Sequence, residues 1–301
     1  MSKEYRYTEI FRSLQGEGMY TGANTAWLRF FMCNLECRGF GQPEPANPES
    51  YYPVGQTIDI TDITSLDDVP VHEYGCDSAY SVAKQYRNLA MKGTAAEIAD
   101  KITAMLANDF NPDGLFLNPH TGLDTHMAFT GGEPMMQQPA IIEIMEEFNR
   151  RSNPIRYMTI ETNGTRNLNG KFGSYIAEQL LCSELQEVFW SISPKLKHVS
   201  GEDLEKAIKP AVLAAYADTY DHGQLKFVLN NDPTAWRELH SAIKKFRDVG
   251  VDWPVYIMPV GGLKEDQECD ATRRVVERAL YEGFHVSGRL HAHIFGNEHN
   301  T

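Results

Sequence analysis

The stretch HMAFTGGEPMMQQPAIIEIMEEFNRRSNPIRYMTIET, residues 126–162, decides the fold class of this 301-residue chain. HMAFT (126–130) is a short apolar run that predicts a strand, and IRYMTIET (155–162) predicts another. Between them, PAIIEIMEEFNRR (139–151) has apolar residues at helical spacing and opens with proline, which is favoured at the first position of a helix. A strand, a helix and a strand in this order form a unit whose two strands run parallel.

The same alternation continues on both sides of this unit. Before it, TAWLRFFMC (25–33) predicts a strand and TAAEIADKITAML (94–106) a helix. After it, the pattern predicts strands at 188–193, 224–230 and 255–260, and helices near 172–182, 202–217, 234–250 and 267–281. About six such units in series predict an α/β fold with a parallel sheet, which either closes into part of a barrel or stays open and doubly wound. In both architectures ligands bind at the carboxyl ends of the strands.

One segment interrupts this alternation. Residues 38–75 are rich in Pro and Asp, and read RGFGQPEPANPESYYPVG (38–55) and, further on, TDITSLDDVPVHEYG (61–75). A loop of this length without regular structure is unusual inside a compact domain. We therefore expect a single domain over residues 1–301 that carries residues 38–75 as an irregular insertion, with a short strand near 57–61.

Composition limits the possible partners. The formal net charge of −13 argues against binding along a nucleic-acid backbone, because proteins that bind there need a basic surface. No apolar run is long enough to span a bilayer, and the polar N-terminus lacks the apolar core of a signal peptide. We expect a cytoplasmic protein, in the host cytoplasm if the chain is viral, with no membrane partner and no direct nucleic-acid partner.

The cysteines point to a metal centre. Five is an odd number, which fits poorly with a fully paired disulfide framework, and clustered cysteines in a reducing compartment more often bind metal. Cys33 and Cys37 are close in sequence, and two such thiolates can bind neighbouring irons of an iron–sulfur cluster. From the residues alone, a zinc site remains an alternative, as does a core thiol beside an unrelated loop thiol.

Polar residues and glycines occupy the carboxyl ends of successive predicted strands. They are Gly131-Gly132-Glu133, Glu161-Thr162-Asn163-Gly164, Ser191-Ile192-Ser193-Pro194-Lys195, Lys226 and Met258-Pro259. Paired glycines let a ligand approach the backbone closely, and a glutamate can accept hydrogen bonds from an ammonium group. Because the carboxyl ends of parallel strands meet at one edge of a sheet, these residues predict one common site.

Six segments, taken in order, carry a resemblance to a known family. They are EIFRSLQGEGMYTGANTAWLRFFMCNLEC (9–37), GCDSAY (75–80), FTGGEP (129–134), ETNGT (161–165), SISPK (191–195) and GRLHAHIFGN (288–297). This ordered set resembles the radical S-adenosylmethionine superfamily and, within it, the 7-carboxy-7-deazaguanine synthases of the queuosine and deazapurine pathway. The resemblance covers nearly the whole chain except residues 38–75, and it implies a partial (β/α)6-type barrel of the radical S-adenosylmethionine kind.

The chain departs from the family pattern at the third cysteine of the cluster motif. In the family this cysteine usually follows the second closely, but position 40 here is Phe and Cys76 arrives only after the insertion. The resemblance therefore implies that residues 38–75 loop out and return Cys76 beside Cys37. Such closure is tolerated because its entropic cost grows only logarithmically with loop length. Cys182 and Cys269 are then structural or incidental.

The resemblance implies a [4Fe–4S] cluster bound by Cys33, Cys37 and Cys76, with one iron left open for S-adenosylmethionine. The residues it implies for this cofactor are Gly131, Gly132 and Glu133 at the methionine end, with Glu161, Ser193 and Met258 around the rest. In such enzymes the cofactor supplies the radical, and the protein supplies orientation. An electron donor such as flavodoxin is implied as a partner, and a homodimer as the assembly.

By the same resemblance, the substrate is 6-carboxy-5,6,7,8-tetrahydropterin, whose ring contraction with loss of ammonia gives 7-carboxy-7-deazaguanine. Gln15, Glu17, Arg29 and His291 match family positions that meet the substrate, with Glu17 and Arg29 as the predicted catalytic residues. A guanidinium group suits a substrate carboxylate because it can donate two parallel hydrogen bonds. Ser78 matches the position of a hydroxyl ligand to Mg²⁺, a hard cation that prefers oxygen ligands.

Two alternatives stay open at this point. One is another radical S-adenosylmethionine enzyme, such as a glycyl-radical activase, which would need a surface for a large protein partner. The other is a non-catalytic relative that has lost its cluster, which the displaced third cysteine would explain.

Overall fold

The computed structural model describes residues 3–52, 63–65, 68–69 and 74–296. Within these ranges it contains one sheet of nine strands. They are β1 (Tyr5–Leu14), β2 (Asn24–Phe30), β3 (Met91–Gly93), β4 (His126–Gly131), β5 (Tyr157–Thr162), β6 (Glu187–Ile192), β7 (Gly223–Leu229), β8 (Val255–Pro259) and β9 (His285–Val286). The strand predicted near 57–61 lies outside the described residues.

The order of strands across the sheet is β3-β1-β2-β4-β5-β6-β7-β8-β9. From β2 to β9 every neighbouring pair is parallel, whereas β1 is antiparallel to both β2 and β3. The six longer parallel strands, β2 and β4 to β8, correspond to the six that the sequence predicted. The predicted α/β class with a partial (β/α)6-type barrel is therefore confirmed, and β3 and β9 form the two edges of the described sheet.

Helices follow most of the parallel strands. They are α1 (Ala95–Leu106), α2 (Gln138–Arg150), α3 (Gly170–Leu181), α4 (Lys197–Ser200), α5 (Leu204–Ala207), α6 (Pro210–Thr219), α7 (Pro233–Arg247), α8 (Lys264–Gln267), α9 (Asp270–Tyr281) and α10 (Leu290–Phe295). The predicted start of α1 is confirmed, because Thr94 and Glu97 form a capping box in which each side chain accepts the other's backbone N–H.

Two helix predictions were wrong in detail. The helix predicted over 202–217 is broken into α5 and α6, and α4 precedes them. Gly201 has a φ of 78° and ends α4, and Pro210, which lacks a backbone N–H, opens α6 rather than continuing α5. The helix predicted from residue 267 begins only at Asp270, because Cys269 has an extended backbone and serves as its N-cap residue.

The N-terminal strands differ more from the prediction. β2 ends at Phe30, so the prediction that Cys33 closes this strand was wrong. Met32, at a φ of 94°, lies in the left-handed region between the strand and the cysteine. β1 and β3 were not predicted at all, and in β1 the charged side chains of Arg6 and Glu9 interrupt the apolar pattern.

Side chains of the parallel strands alternate between a hydrophobic core and a cavity. In β2, Leu28 and Phe30 are fully buried in the core, whereas Trp27 and Arg29 line the cavity. β7 repeats this alternation, with Lys226 on the cavity side. The alternation follows from the two-residue period of a strand, and it sends polar groups inward at the middle of the sheet. In the part of the chain that the structure describes, we find no helix with the length and apolarity needed to cross a membrane.

Candidate active site

A cavity of about 750 Å³ lies at the carboxyl ends of the parallel strands. Thirteen of the fourteen predicted site residues line it: Gln15, Glu17, Arg29, Cys33, Cys37, Cys76, Ser78, Gly131, Gly132, Glu161, Ser193, Met258 and His291. The fourteenth, Glu133, is fully buried and does not line the cavity. The fold thus gathers residues from the whole length of the chain around one space.

The loop after β2 presents the first cysteine to this cavity. Cys33 is partly buried, and its Sγ accepts hydrogen bonds from the backbone N–H of Leu35 at 3.4 Å and from Asn163 Nδ2 at 3.7 Å. Hydrogen bonds to a ligand sulfur are among the contacts by which a protein tunes an iron–sulfur cluster. The surroundings of Cys33 are therefore suited to a metal-bound thiolate.

A buried carboxylate fixes the backbone around the second cysteine. One Glu202 oxygen accepts the backbone N–H of Glu36 at 2.6 Å and that of Cys37 at 2.8 Å. The other oxygen accepts from Lys206 Nζ at 3.1 Å. Burial alone would raise the pKa of Glu202, but these backbone hydrogen bonds and Lys206 lower it. An ionised acceptor of this kind stabilises Cys37 in its left-handed conformation, at a φ of 50°.

The two ends of the segment that the sequence predicts as an insertion lie next to each other. The backbone N–H of Gly75 donates to the carbonyl oxygen of Phe40 at 2.8 Å, so the residues that flank positions 41–74 are in contact. Cys76 follows directly and lines the same cavity as Cys33 and Cys37. The structure thus brings the three cysteines of the proposed motif to one site.

Burial keeps the three thiols in their protonated form when no metal is bound. Burial raises the pKa of Cys33 to about 11, that of Cys76 to about 12, and that of Cys37 well above its usual value. Such thiols are protonated near neutral pH unless a metal replaces their protons. Among the described residues, no three His, Cys, Asp or Glu side chains are arranged to hold one metal ion. A single zinc ion needs its ligands around one point, whereas in a cubane cluster each cysteine binds a different iron.

Two glycines let the end of β4 lie against the start of the cluster loop. A Cβ atom at Gly131, whose φ is 134°, would come within 2.2 Å of the Phe30 carbonyl oxygen. A Cβ atom at Gly132 would come within 2.3 Å of the carbonyl oxygen of Met32. The next residue, Glu133, donates its backbone N–H to that same oxygen at 2.8 Å. The glycines are therefore required for packing as well as for leaving room in the cavity.

The side chain of Glu133 braces two strand ends. Its carboxylate accepts hydrogen bonds from the backbone N–H of Met135 at 3.0 Å, from Thr162 Oγ1 at 2.6 Å and from the backbone N–H of Asn163 at 2.8 Å. Burial is the largest influence on its pKa and raises it. The side chain does not line the cavity, and the expectation that this carboxylate accepts hydrogen bonds from an ammonium group stays a prediction.

Lys226 joins two carboxylates in the cavity wall. Its Nζ lies 2.5 Å from Glu17 Oε2 and 3.2 Å from Glu161 Oε2, and its side chain is only 4% exposed. Gln15 completes the group, because it donates to Glu161 Oε1 at 2.9 Å and accepts the backbone N–H of Glu17 at 3.1 Å. Burial raises the pKa of Glu17, but the charges of Lys226 and Arg289 outweigh burial and lower it to about 2. Glu17 is therefore an ionised acceptor at neutral pH.

A second chain of contacts runs from β1 to the C-terminal segment. Arg29 Nε lies 2.5 Å from Glu9 Oε2, and Arg29 Nη1 donates to Ser78 Oγ at 3.2 Å. Ser78 Oγ in turn donates to Asp77 Oδ1 at 3.2 Å, and Asp77 Oδ2 accepts from Arg289 Nη1 at 2.8 Å. Positive and negative side chains alternate along this series of contacts, with Ser78 between Arg29 and Asp77. The cavity therefore offers an anionic ligand two guanidinium groups that are held in place.

Three further predicted residues complete the wall. His291 packs against Gly16 so closely that a Cβ atom there would come within 1.8 Å of His291 Nδ1. Burial is the main cause of the lowered pKa of His291, which keeps the imidazole neutral at neutral pH. Ser193 Oγ accepts from Lys195 Nζ at 2.8 Å, and Met258 is a buried residue of β8.

Comparison with known proteins finds two named enzymes to which the chain is similar, although no family model matches it. The 7-carboxy-7-deazaguanine synthase of Halobacterium salinarum is 25% identical over 298 residues, which cover 97% of this chain and 91% of that protein. The enzyme of the same name from Methanothermobacter thermautotrophicus is 24% identical over 157 residues, covering 52% of this chain and 40% of that protein. The chain is similar to the 7-carboxy-7-deazaguanine synthases.

The fold agrees with this relationship. The crystal structure of QueE from Escherichia coli superposes with a TM-score of 0.51 over 96% of this chain and 95% of that one, at 16% sequence identity. Similarity to the 7-carboxy-7-deazaguanine synthases does not favour either alternative, the glycyl-radical activase or the relative without a cluster.

Part of the charged wall was missed in the sequence analysis. Glu9 was missed because the strand that carries it was not predicted. Asp77 and Arg289 lie inside two of the quoted motifs, GCDSAY and GRLHAHIFGN, but they were given no role. Lys226 was noted only as a polar strand residue. The signal that could have found these residues is the presence of charged side chains on otherwise apolar or glycine-rich strand ends, since buried charges need partners.

Proposed function

We propose that this chain is a radical S-adenosylmethionine lyase that converts 6-carboxy-5,6,7,8-tetrahydropterin to 7-carboxy-7-deazaguanine with loss of ammonia. The observation that carries the proposal is a single cavity in which three cysteines share the space with a wall of paired charges around Glu17, Arg29 and Lys226. Two relatives named for this product support the same reaction.

We assign Cys33, Cys37 and Cys76 to a [4Fe–4S] cluster, and residues 38–75 to an insertion in the cluster loop of one domain over 1–301. When bound, the cluster and S-adenosylmethionine would supply a radical able to take a hydrogen atom from the substrate. The protein's own part is to hold the three thiolates, to orient the substrate and to keep bulk water away from the reacting atoms.

The cofactor-binding residues would lie at the strand ends. The backbone of residues 131–133 is exposed to the cavity at its glycines, and the Glu161, Ser193 and Met258 side chains line the same space. Glu161 and Ser193 offer oxygen acceptors, and Met258 offers an apolar surface. In this arrangement Glu133 contributes only its backbone, because its carboxylate accepts hydrogen bonds from Met135, Thr162 and Asn163.

The substrate would be held by the charged wall. Glu17 is ionised, so it can accept hydrogen bonds from the ring N–H groups of a pterin, and Gln15 can donate and accept beside it. Arg29 would face the substrate carboxylate, and neutral His291 could donate one hydrogen bond and accept another. Lys226 keeps Glu17 in its accepting form. In this proposal Glu17 and Arg29 are the catalytic residues, because they contact the reacting molecule.

A magnesium ion at Ser78 is part of the proposal. The Ser78 hydroxyl lies in the cavity 3.2 Å from an oxygen of Asp77, and Mg²⁺ prefers such oxygen ligands together with carboxylate and water. The same hydroxyl accepts from Arg29 at 3.2 Å. A cation at this position would therefore replace the Arg29 contact and leave that guanidinium free for the substrate carboxylate.

The partners follow from the family resemblance. We propose a cytoplasmic homodimer that receives electrons from a small carrier such as flavodoxin and makes a precursor for queuosine and other 7-deazapurines. The net charge of −13 supports a role on a small molecule rather than directly on nucleic acid.

The test is an anaerobic reaction of reconstituted, reduced protein with S-adenosylmethionine, Mg²⁺ and 6-carboxytetrahydropterin, followed by mass spectrometry. We expect 7-carboxy-7-deazaguanine, substrate-dependent 5′-deoxyadenosine and about four irons per chain. Cys76→Ala should lose iron and both products, whereas the matched control Cys182→Ala, at an exposed cysteine, should keep them. Wild-type protein without iron would contradict the cluster, and iron-loaded protein that forms only deoxyadenosine would contradict the substrate.

A further inference from the structure

The insertion raises the question of what holds the third cysteine in place. Residues 38–75 separate Cys37 from Cys76, so chain connectivity between the two ligands no longer restrains their distance. A cluster ligand whose backbone can move away is a weak ligand, because the thiolate must be held at the iron against solvent and protons. Other contacts must therefore fix the Cys76 segment.

Backbone hydrogen bonds hold this segment at its two ends. Gly75 donates its N–H to the Phe40 carbonyl oxygen at 2.8 Å, just before the cysteine. Met32 donates its N–H to the Ser81 carbonyl oxygen at 2.8 Å, five residues after the cysteine. Between these two points the segment relies on side-chain contacts.

Arg289 makes a charged contact at the centre of this span. Its Nη1 donates to Oδ2 of Asp77, the residue directly after Cys76, at 2.8 Å. The Arg289 side chain is only 11% exposed, and its Nε lies 3.7 Å from Glu17 Oε1. The guanidinium is therefore held between two acids, and one of them belongs to the cluster segment.

The segment that carries Arg289 is itself anchored to the barrel. Leu290 donates its backbone N–H to the Gly16 carbonyl oxygen at 2.9 Å, and the Ser287 hydroxyl accepts the backbone N–H of Gly18 at 2.9 Å. Arg289 thus extends from a fixed backbone to Asp77, across 212 positions of sequence.

We infer that Arg289 is a positioning residue for the cluster: through Asp77 it holds the Cys76 segment against the cavity. This contact replaces the restraint that a short connection between Cys37 and Cys76 would provide. The inference rests on the proposed function, because it takes Cys76 as an iron ligand. A partly buried, charge-assisted contact resists displacement better than an exposed ion pair, which contributes little. Without it, the span from Gly75 to Ser81 keeps its backbone ends, the contact between Ser78 and Arg29, and the hydrogen bond that the Tyr80 hydroxyl donates to Glu9 at 2.9 Å.

The experiment measures iron release from the reconstituted full-length protein to an excess of a chelator under anaerobic conditions. We expect Arg289→Gln and Asp77→Asn each to release iron about fivefold to tenfold faster than wild type, as for the loss of one charge-assisted hydrogen bond. Arg289→Lys keeps the positive charge, so its rate of iron release should be close to that of wild type. The electron paramagnetic resonance spectrum of the reduced cluster should become heterogeneous in the first two variants and stay single in the third.

Two controls keep the result specific. Because Arg289 and Asp77 act through one contact, the double variant should release iron no faster than either single variant. Arg278→Gln removes a partly exposed arginine near the end of α9 that pairs with Glu282 and does not line the cavity, and it should release iron at the wild-type rate. Additive effects of the two substitutions, or wild-type release from Arg289→Gln, would overturn the inference. If wild-type protein takes up no iron, the proposed function fails instead. If Arg289→Gln does not fold, the iron release rates of Arg289→Lys and Asp77→Asn test the inference in its place.

Discussion

Lys226→Met is expected to destabilise the chain, because it leaves two partly buried carboxylates, Glu17 and Glu161, without the ammonium between them. The pKa of Glu17 is about 2, against an ordinary value of 4.5. Each pKa unit corresponds to about 1.4 kcal/mol, so the surrounding cations stabilise ionised Glu17 by about 3 kcal/mol at neutral pH. Lys226 contributes more of this than Arg289 does. We therefore expect the free energy of unfolding to fall by at least about 2 kcal/mol at pH 7.

The pH dependence of this loss has a definite sign. The pKa of Glu17 is lower in the folded chain than in the unfolded chain, so its stabilisation is complete above about pH 4.5 and declines as the pH falls toward 2. The difference in unfolding free energy between wild type and Lys226→Met should thus shrink, near pH 3, to less than about half of its value at pH 7. Urea unfolding of both metal-free proteins, followed by circular dichroism at several pH values, measures it.

The matched control is Lys244→Met, at an exposed lysine of α7 that pairs with Asp248. This substitution should change the free energy of unfolding by less than about 0.5 kcal/mol at any of these pH values. Equal unfolding curves for wild type and Lys226→Met at pH 7, or a difference that grows as the pH falls, would refute the reasoning about the Glu17 pair.

Three further substitutions test the frame of the site. Glu202→Gln replaces a charged acceptor of two backbone N–H groups by a neutral one, so thermal unfolding should show a loss of about 1–2 kcal/mol and iron release should accelerate. In the same thermal unfolding experiment, Gly131→Ala should lower the free energy of unfolding by more than about 3 kcal/mol, because its Cβ meets the Phe30 carbonyl. Gly170→Ala, which has open space around it, should leave the stability unchanged or raise it slightly. Glu133→Gln should lower stability by about 2 kcal/mol while S-adenosylmethionine affinity, measured by equilibrium dialysis, stays within about twofold. A tenfold loss of affinity at unchanged stability would restore the predicted cofactor role of that side chain.

The parallel part of the fold was predictable because its local signals agree. β4, α2 and β5 each carry an apolar pattern of the right period, bounded by proline or glycine. β1 was not predictable in this way. One of its faces lines the polar cavity, and the charged Glu9 on it hides the alternation that marks a half-buried strand.

The position of the site was also predictable, because parallel strands place their carboxyl ends together whatever their contacts. The partners of each side chain were not. Lys226 and Glu17 are 209 positions apart, and nothing in local spacing pairs them. The partners of the Glu133 carboxylate are unpredictable for the same reason, because Thr162 and Asn163, which donate to it, follow another strand.

The backbone contact between Phe40 and Gly75 also bears on how such enzymes are recognised. A search pattern that fixes the number of residues between cluster cysteines assumes that chain length and spatial distance go together. Here a backbone hydrogen bond of 2.8 Å brings Phe40 and Gly75 together across 35 positions, so a large number of intervening residues does not mean a large distance between the proposed ligands. Chains of this kind are better recognised by what flanks each cysteine: a strand end before the first and an acidic residue after the last. The number of residues between the cysteines is then not fixed by the requirements of cluster binding.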